Sequence, residues 1–211
     1  MLITADERVP IARLLQFLEH GERLAHDCAH AQAALAPESG MRRFLLGQAR
    51  QELYHSIVFR GAMAWLAPRH VGACPLLPAL EQYRALLEAA LRQGHLIETV
   101  LAEQIILEGL GEAILGRIEE GLSTRRAPFH RLRLILLHQE EAHHAFGLRV
   151  LDRALTAGTA SVEVLRLRAQ EYLPLVDDMV AGVADLFESI DEDPSLYASR
   201  AKGYLPNWLL E

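Results

Sequence analysis

Two pairs of residues in the sequence place a glutamate three positions before a histidine. The pairs are Glu52 with His55 and Glu141 with His144. In a helix, residues i and i+3 project from the same face, so one carboxylate and one imidazole can bind one metal ion. A single Glu-x-x-His unit arises easily by chance, whereas two units on separate long helices are typical of a two-metal site in a helical bundle.

Apolar residues share the helix faces of both units, which indicates that the units point into a core. The face of the second unit contains five leucines: Leu134, Leu137, Leu148, Leu151 and Leu155. The face of the first unit contains Leu45, Gln48, Phe59 and Leu66. Removing an unpartnered carboxylate from water costs several kcal/mol, and a bound dication offsets that cost. We therefore interpret Glu52, His55, Glu141 and His144 as metal ligands.

An overlapping pair, Glu140 and His143, has the same spacing. Its face contains Leu136 but also Arg133 and Gly147, so we interpret this face as the less buried one. The sequence therefore gives His143 no predicted role as a ligand.

A two-metal site of this type needs one further glutamate from each of two partner helices. The first and third long helices offer six candidates: Glu19, Glu22, Glu98, Glu103, Glu108 and Glu112. Glu22 precedes Glu52 by 30 residues and Glu108 precedes Glu141 by 33, so the two halves nearly repeat. Glu108 also has the most apolar neighbours, and we favour Glu22 and Glu108. Two alternatives remain, each about one turn away: Glu19 and Glu112.

The elements that must position these residues are helices, because apolar residues recur at helical spacing and only 6% of residues are aromatic. Proline and glycine separate the segments: about 6–35, 41–66, 79–91, 95–120, 128–155 and 161–189. We predict an all-α four-helix bundle over residues 7–156 with extra helices over 160–211. The whole chain, residues 1–211, is predicted to form one domain.

Composition excludes several classes of function. The net charge is −7 and the basic residues are scattered along the sequence, so a nucleic-acid partner is not expected. No uncharged apolar run reaches the length of a membrane span, and no signal peptide precedes the first helix. The two cysteines, Cys28 and Cys74, form no metal-binding motif. These features favour a cytoplasmic protein.

Four segments resemble the ferritin-like di-iron carboxylate proteins, and among them the aldehyde-deformylating oxygenases. They are residues 21–26 with 36–39, residues 106–108, residues 139–147 and residues 173–176. Their order and spacing extend the resemblance over residues 10–180. The sequence departs from the family at Met63, where the oxygenases have a cysteine, and in its C-terminal region. The resemblance therefore bears more on fold and metal than on substrate.

The resemblance implies six ligands: Glu22, Glu52, His55, Glu108, Glu141 and His144. It also implies that His26, one turn from Glu22, supports a ligand without binding metal itself. Two iron ions would be the cofactor, with manganese as the alternative.

The implied activity is an O2-dependent oxidation or oxygenation of a mostly apolar small molecule, such as a long-chain aldehyde. No flavin or dinucleotide motif is present, so an external electron donor such as a ferredoxin is expected. An enzyme of this kind is expected to be a monomer or homodimer. The alternative is an iron-binding ferroxidase of the ferritin type that has no organic substrate.

Overall fold

The computed structural model describes residues 4–73, 76–127, 129–189 and 192–210. These residues form helices joined by short turns, and none of them lies in a strand. The α-helices are α1 (Arg8–Leu35), α2 (Ser39–Leu66), α3 (Pro78–Arg92), α4 (Leu96–Val100), α5 (Glu108–Thr124), α6 (His130–Thr156), α7 (Val162–Gly182), α8 (Ala184–Glu188), α9 (Pro194–Gly203) and α10 (Asn207–Leu210). A 3-10 turn covers Pro68–His70 and a π-helical segment covers Leu101–Leu107.

Helices α1 and α2 form the first half of the bundle, and they pack against each other along much of their length. The chain turns between them at Pro37, which cannot continue a helix. Small residues such as Ala25 and Ala29 are buried on α1 and allow close packing. The Nδ1–H of His26 donates to the backbone oxygen of Ala49 on α2 at 2.6 Å, so a polar contact also joins the two helices.

The helix predicted over residues 95–120 is interrupted. Helix α4 continues directly into the π segment, and the π segment continues into α5. Every residue of the π segment is buried. Its hydrogen bonds run from i to i+5, so residues five apart come to lie one turn above the other. The hydroxyl of Tyr83 on α3 donates to the oxygen of Ala102 and satisfies a carbonyl inside this segment. The sequence predicted a continuous helix here and did not predict the π turn.

The remaining helices complete the bundle and cover it. Helix α6 packs against α5 and the π segment, α7 packs against α3 and the π segment, and α9 packs against α5. The predicted all-α architecture with extra C-terminal helices is confirmed, although Pro128, where the fifth helix was predicted to begin, lies outside the described residues. The single domain over residues 1–211 stays a prediction. Among the described helices, none combines the length and the apolarity that crossing a membrane requires.

Candidate metal centre

Six buried side chains from four helical segments meet in the centre of the bundle. They form two overlapping groups whose potential ligand atoms lie within 4.8 Å of one another. We call these two groups the first and second poles of the centre. The first pole contains Glu22, Glu52, His55 and Glu140. The second pole contains Glu52, Glu108, Glu140 and His143.

The first pole is organised around His55, which is 1% exposed. Its Nδ1 atom lies 2.8 Å from Glu140 Oε1, 3.1 Å from Glu52 Oε2 and 3.2 Å from Glu22 Oε2. Helix α1 supplies Glu22, α2 supplies Glu52 and His55, and α6 supplies Glu140. Three carboxylates therefore converge on one imidazole nitrogen.

The second pole repeats this arrangement around His143 on α6. Its Nδ1 atom lies 2.8 Å from Glu52 Oε1, 3.6 Å from Glu108 Oε1 and 3.8 Å from Glu140 Oε2. Glu108 is the first residue after the π segment. Its partners come from α2 and α6, so this pole lies between the two halves of the bundle.

Glu52 and Glu140 belong to both poles, whereas Glu22 and Glu108 belong to one pole each. This division gives each pole one imidazole and one carboxylate of its own, with two carboxylates placed between the poles. Four carboxylates match the charge of two divalent cations. The donor set is that of a two-metal carboxylate site in a helical bundle.

Several of these ligand atoms have no hydrogen-bond partner. Both oxygens of Glu52, Oε1 of Glu140 and Nδ1 of His143 are buried without one. His143 Nδ1 and Glu52 Oε1 are only 2.8 Å apart, yet the N–H direction does not suit a hydrogen bond. Buried polar atoms without partners cost free energy, and a cation between them would satisfy all of them. The residues present therefore fit a pair of metal ions.

Glutamine side chains fix the far nitrogen of each histidine. His143 Nε2 lies 2.8 Å from Oε1 of Gln51 on α2, and His55 Nε2 lies 2.8 Å from Oε1 of Gln139 on α6. Each helix therefore holds the histidine of the other. An imidazole that donates from Nε2 can present the lone pair of Nδ1 to a metal, as ligating histidines usually do.

Charge is distributed unevenly among the six residues. Burial raises the pKa values of Glu52 and Glu140, but close neighbours outweigh it and both pKa values lie below the usual range. For Glu52 these neighbours are His143 and His55, and for Glu140 they are Glu108 first and then the two histidines. Desolvation alone would lower the pKa of each histidine. The carboxylates around each imidazole, Glu140 first among them, instead raise the pKa of His143 to about 10 and that of His55 further. Without metal, protons on the histidines balance the charge of the central carboxylates.

The outer carboxylates behave differently from the central pair. Burial and the charge of Glu140 raise the pKa values of Glu22 and Glu108 well above the usual range. Glu103 is a further buried acid beside the second pole, and burial and the charge of Glu52 raise its pKa well above the usual range. Because these carboxyls favour their protonated forms without metal, metal ions would have to displace protons from Glu22 and Glu108.

Buried amides support the second pole. Gln48 Nε2 donates to Glu103 Oε1 at 2.9 Å and to Glu108 Oε1 at 2.8 Å. The two acids are five residues apart and share this donor because the π segment brings them to one face. Gln104 Nε2 donates to Gln48 at 3.2 Å and to Gln32 at 2.7 Å, which extends the network to α1.

The structure corrects the predicted face of α6. Glu140 and His143 are 1% exposed and belong to the centre, whereas Glu141 is exposed and lies near Glu112 instead. His144 is buried but makes an edge contact with Tyr204, its ring centroid 5.8 Å away. The predicted face of α6 was therefore wrong, and neither Glu141 nor His144 belongs to a group that could hold a metal ion.

The error has two physical causes. Gly147 was interpreted as a mark of exposure, yet it is buried where α6 crosses the π segment. An added Cβ there would lie 2.6 Å from Gln104 Cβ. Arg133 was interpreted in the same way, yet it is half-buried, because its guanidinium pairs with the buried carboxylate of Glu119. The leucines that suggested the other face include Leu148, which is 37% exposed.

Two signals in the sequence favour the observed face. Glutamine precedes both central glutamates, in Gln51-Glu52 and Gln139-Glu140, whereas another glutamate precedes Glu141. The interval from Glu108 to Glu140 is 32 residues, closer to the 30 of the first half. The near repeat of the two halves therefore includes the glutamine.

The other predicted residues have clear positions. Glu22, Glu52, His55 and Glu108 are brought together as predicted. The alternatives lie elsewhere: Glu19 pairs with Arg23 and His20, and Glu112 interacts with Tyr204. His26 hydrogen-bonds to the Ala49 backbone, and its predicted support of a metal ligand stays a prediction.

An apolar cavity of about 40 Å³ adjoins the acidic centre. Three of the site carboxylates, Glu22, Glu108 and Glu140, form part of its wall. Its apolar lining comes from Phe17, Leu18, Ala25, Leu80, Leu107, Leu110, Ile114 and Met179. Gly21 and Gly111 leave further space in the wall, because a Cβ on either would meet no atom within 4 Å. A small apolar molecule in this cavity would contact the carboxylates directly.

Comparisons with known proteins support the fold. No family model matches the sequence, and no curated protein matches it. Among solved structures, the chain is similar to protein 19 with aldehyde deformylating oxidase activity from Synechococcus. The TM-score is 0.79 at 17% sequence identity, over 100% of this chain and 92% of that chain. The predicted ferritin-like bundle is confirmed, and the resemblance to the aldehyde-deformylating oxygenases holds for the fold.

Proposed function

We propose that the protein is an O2-dependent di-iron oxidoreductase that acts on a mostly apolar small molecule. The observation that carries this proposal is the pair of overlapping carboxylate–histidine groups, with their unpartnered buried atoms, beside an apolar cavity. Oxygen and imidazole donors without thiolate suit iron, and manganese is the alternative. When bound, two iron ions would supply the activation of dioxygen.

The ligands we propose are the two central glutamates, the two outer glutamates and the two histidines: Glu52, Glu140, Glu22, Glu108, His55 and His143. Glu52 and Glu140, which belong to both poles, would help to hold both ions, and each remaining residue would help to hold one. Gln51 and Gln139 would hold the histidines in the required orientation through the contacts to Nε2. The amide of Gln48 would orient Glu108.

The cavity would position the substrate against this centre. Phe17, Leu18 and Met179 offer apolar contact and no hydrogen bond, so they suit an alkyl chain. Glu22, Glu108 and Glu140 mark the end of the cavity at which the reacting group would lie. The name of the structural neighbour makes an aldehyde the first substrate class to test. Electrons would come from an external donor such as a ferredoxin.

The test is anaerobic loading with Fe(II), followed by exposure to O2 and recorded by absorption. We expect a transient absorption band whose decay accelerates with saturated aldehydes of increasing chain length, together with loss of the aldehyde. The matched variants are Glu140→Ala, which removes a proposed ligand, and Glu141→Ala, which removes the neighbouring exposed carboxylate. A response to O2 that Glu140→Ala leaves unchanged would refute the proposed site.

A ferroxidase without an organic substrate is the second candidate. The specific observation that favours it is the size of the cavity, since about 40 Å³ is far below the roughly 300–1,000 Å³ of typical small-molecule sites. In that case, O2 consumption would follow Fe(II) addition but no aldehyde would alter its rate. Product analysis after aldehyde turnover separates the two candidates.

A further inference from the structure

The exposed side of α2 is basic and apolar, although the chain as a whole carries a net charge of −7. Its exposed residues recur at helical spacing: Arg42, Arg43, Leu46, Arg50, Leu53, Tyr54, Ile57, Arg60 and Trp65. Glu52 is the one carboxylate of this 28-residue helix, and it is fully buried. A stripe about 35 Å long therefore carries positive charge and large apolar side chains without an exposed acid.

Helix α6 continues this stripe on the side that faces α2. The contacts of Gln51 with His143 and of Gln139 with His55 show which sides of the two helices adjoin. Residues at helical spacing from Gln139 on its outward side are Arg131, Ile135 and Arg149, all exposed. We call the α2 stripe together with these three residues the seam face.

The acids of α6 do not interrupt the seam face. Glu141 lies towards Glu112 of α5, away from α2. Asp152 is eleven residues further along, about three turns, and shares the side of Glu141. The acids of α6 therefore lie on the side of that helix away from the seam face.

The arginines of the seam face also differ from most others in their surroundings. Elsewhere, Arg117, Arg168 and Arg200 pair with carboxylates. Within the part of the chain that the structure describes, none of the seam-face arginines has an ion pair. The apolar residues between them are strongly exposed, with Trp65 at 73% and Tyr54 at 68%. Arginine with tryptophan and tyrosine, in the absence of lysine and acids, is the composition of the centre of a protein interface.

The seam face also covers the two site histidines. Gln51 and Gln139 are half-buried, and each hydrogen-bonds to a histidine of the metal centre. On this side, one glutamine side chain separates the outer surface from each imidazole. A partner docked here would be closer to the histidines than to the apolar cavity, whose lining comes mainly from α1 and α5.

The geometry points to the seam face as the docking site of a small acidic electron-carrier protein. Charge complementarity would guide the carrier to the arginines. The exposed aromatic and aliphatic residues would then supply the desolvated contact. The electron-transfer role of this partner rests on the proposed function, whereas its docking can be measured on protein without metal.

The test measures the binding of a plant-type [2Fe–2S] ferredoxin, which is strongly acidic, by calorimetry on the full chain. We expect saturable one-to-one binding at about 20 mM salt that weakens more than about tenfold at about 200 mM salt. The double variant Arg43→Glu/Arg131→Glu should weaken binding more than about tenfold. The matched control, Arg8→Glu/Arg92→Glu, makes the same charge change outside the seam face and should alter binding less than about twofold.

A second variant, Trp65→Ala, keeps the charge and should weaken binding about tenfold or more because a central aromatic contact is lost. Circular dichroism and iron content should match the unmodified protein in all three variants, so a loss of binding would not reflect unfolding or loss of the metal centre. If the ferredoxin binds but aldehyde or O2 turnover fails, the docking site stands and the proposed function fails.

Four results would overturn the docking site. One is the absence of saturable binding at low salt, and another is an equal loss in the seam-face and control variants. A third is sedimentation with phosphatidylserine vesicles that Arg43→Glu/Arg131→Glu abolishes, which would identify a membrane-binding face. The fourth is concentration-dependent self-association that the same variant abolishes, which would identify an interface between two copies of the chain.

Discussion

The two halves of the metal centre use the same unit but support it differently. In the first half, Glu22 projects from the regular helix α1 and contacts His55. In the second half, Glu108 follows a π segment and shares the amide of Gln48 with another buried acid, Glu103. Beside the first pole, Glu19 lies one turn before Glu22 on α1, but it pairs with Arg23 and His20 instead of sharing a donor with Glu22.

This difference shows which features of the centre a repeated sequence determines. Glu52 and Glu140, the shared carboxylates, occupy matching positions in the two Gln-Glu-x-x-His units. The π turn then adds a carboxylate and an amide network to one pole only. The two poles should therefore respond equally to changes in the shared carboxylates and unequally to changes in the outer ones.

The largest expected effect comes from a shared carboxylate. Glu52→Ala removes a ligand from both poles and leaves the positive charge of the cations less balanced. Iron content, measured by metal analysis after anaerobic loading, should fall from about two per chain to nearly zero. Glu141→Ala is the control and should keep about two. A Glu52→Ala protein that binds one iron tightly would show that the poles are independent.

The outer carboxylates should separate the two poles. Glu22→Ala should lower iron content to about one per chain, because Glu19, the acid one turn away on α1, already pairs with Arg23 and His20. The Glu108→Ala variant should retain more iron than Glu22→Ala, because Glu103 lies five residues earlier on the same face and can approach the second ion. Glu103→Ala/Glu108→Ala should then match Glu22→Ala. Equal losses in the Glu22 and Glu108 single variants would remove the proposed inequality.

The sequence predicted the parts of this centre that depend on helical periodicity. Glu22, Glu52, His55 and Glu108 follow from apolar faces and from the distance between repeated helices. The face of α6 was misjudged because Gly147 looks polar in a pattern but marks a close crossing of two helices. The proximity of Glu103 to Glu108 could not be predicted, since residues five apart lie on different faces of an ordinary α-helix.

Acidity should weaken metal binding at both poles. The raised pKa values of His55, His143, Glu22 and Glu108 mean that the metal-free centre holds protons that cations must displace. Binding at neutral pH should release on the order of four protons per chain, and the affinity for Fe(II) should fall as pH decreases. Calorimetry in two buffers of different ionisation enthalpy measures this release. Binding without proton release would contradict the assigned protonation.

A smaller effect should distinguish the two halves in protein without metal. Gly147 of α6 and Phe59 of α2 each follow the site histidine by four residues. Gly147→Ala would force a Cβ against Gln104, so we expect the free energy of unfolding to decrease by about 1–3 kcal/mol. In the control, Gly61→Ala, the added Cβ lies in open space on α2, so the free energy of unfolding should increase by up to about 1 kcal/mol. Urea denaturation measures both, and stabilisation by Gly147→Ala would contradict the close crossing.

Anomalous diffraction at the iron edge from crystals of the Fe(II)-loaded protein tests the metal centre most directly. We predict two peaks about 3.5–4 Å apart, the separation typical of two-metal sites. One peak should lie among Glu22, Glu52, His55 and Glu140, and the other among Glu52, Glu108, Glu140 and His143. The absence of both peaks, or a peak beside Glu141 and His144, would contradict the proposed centre.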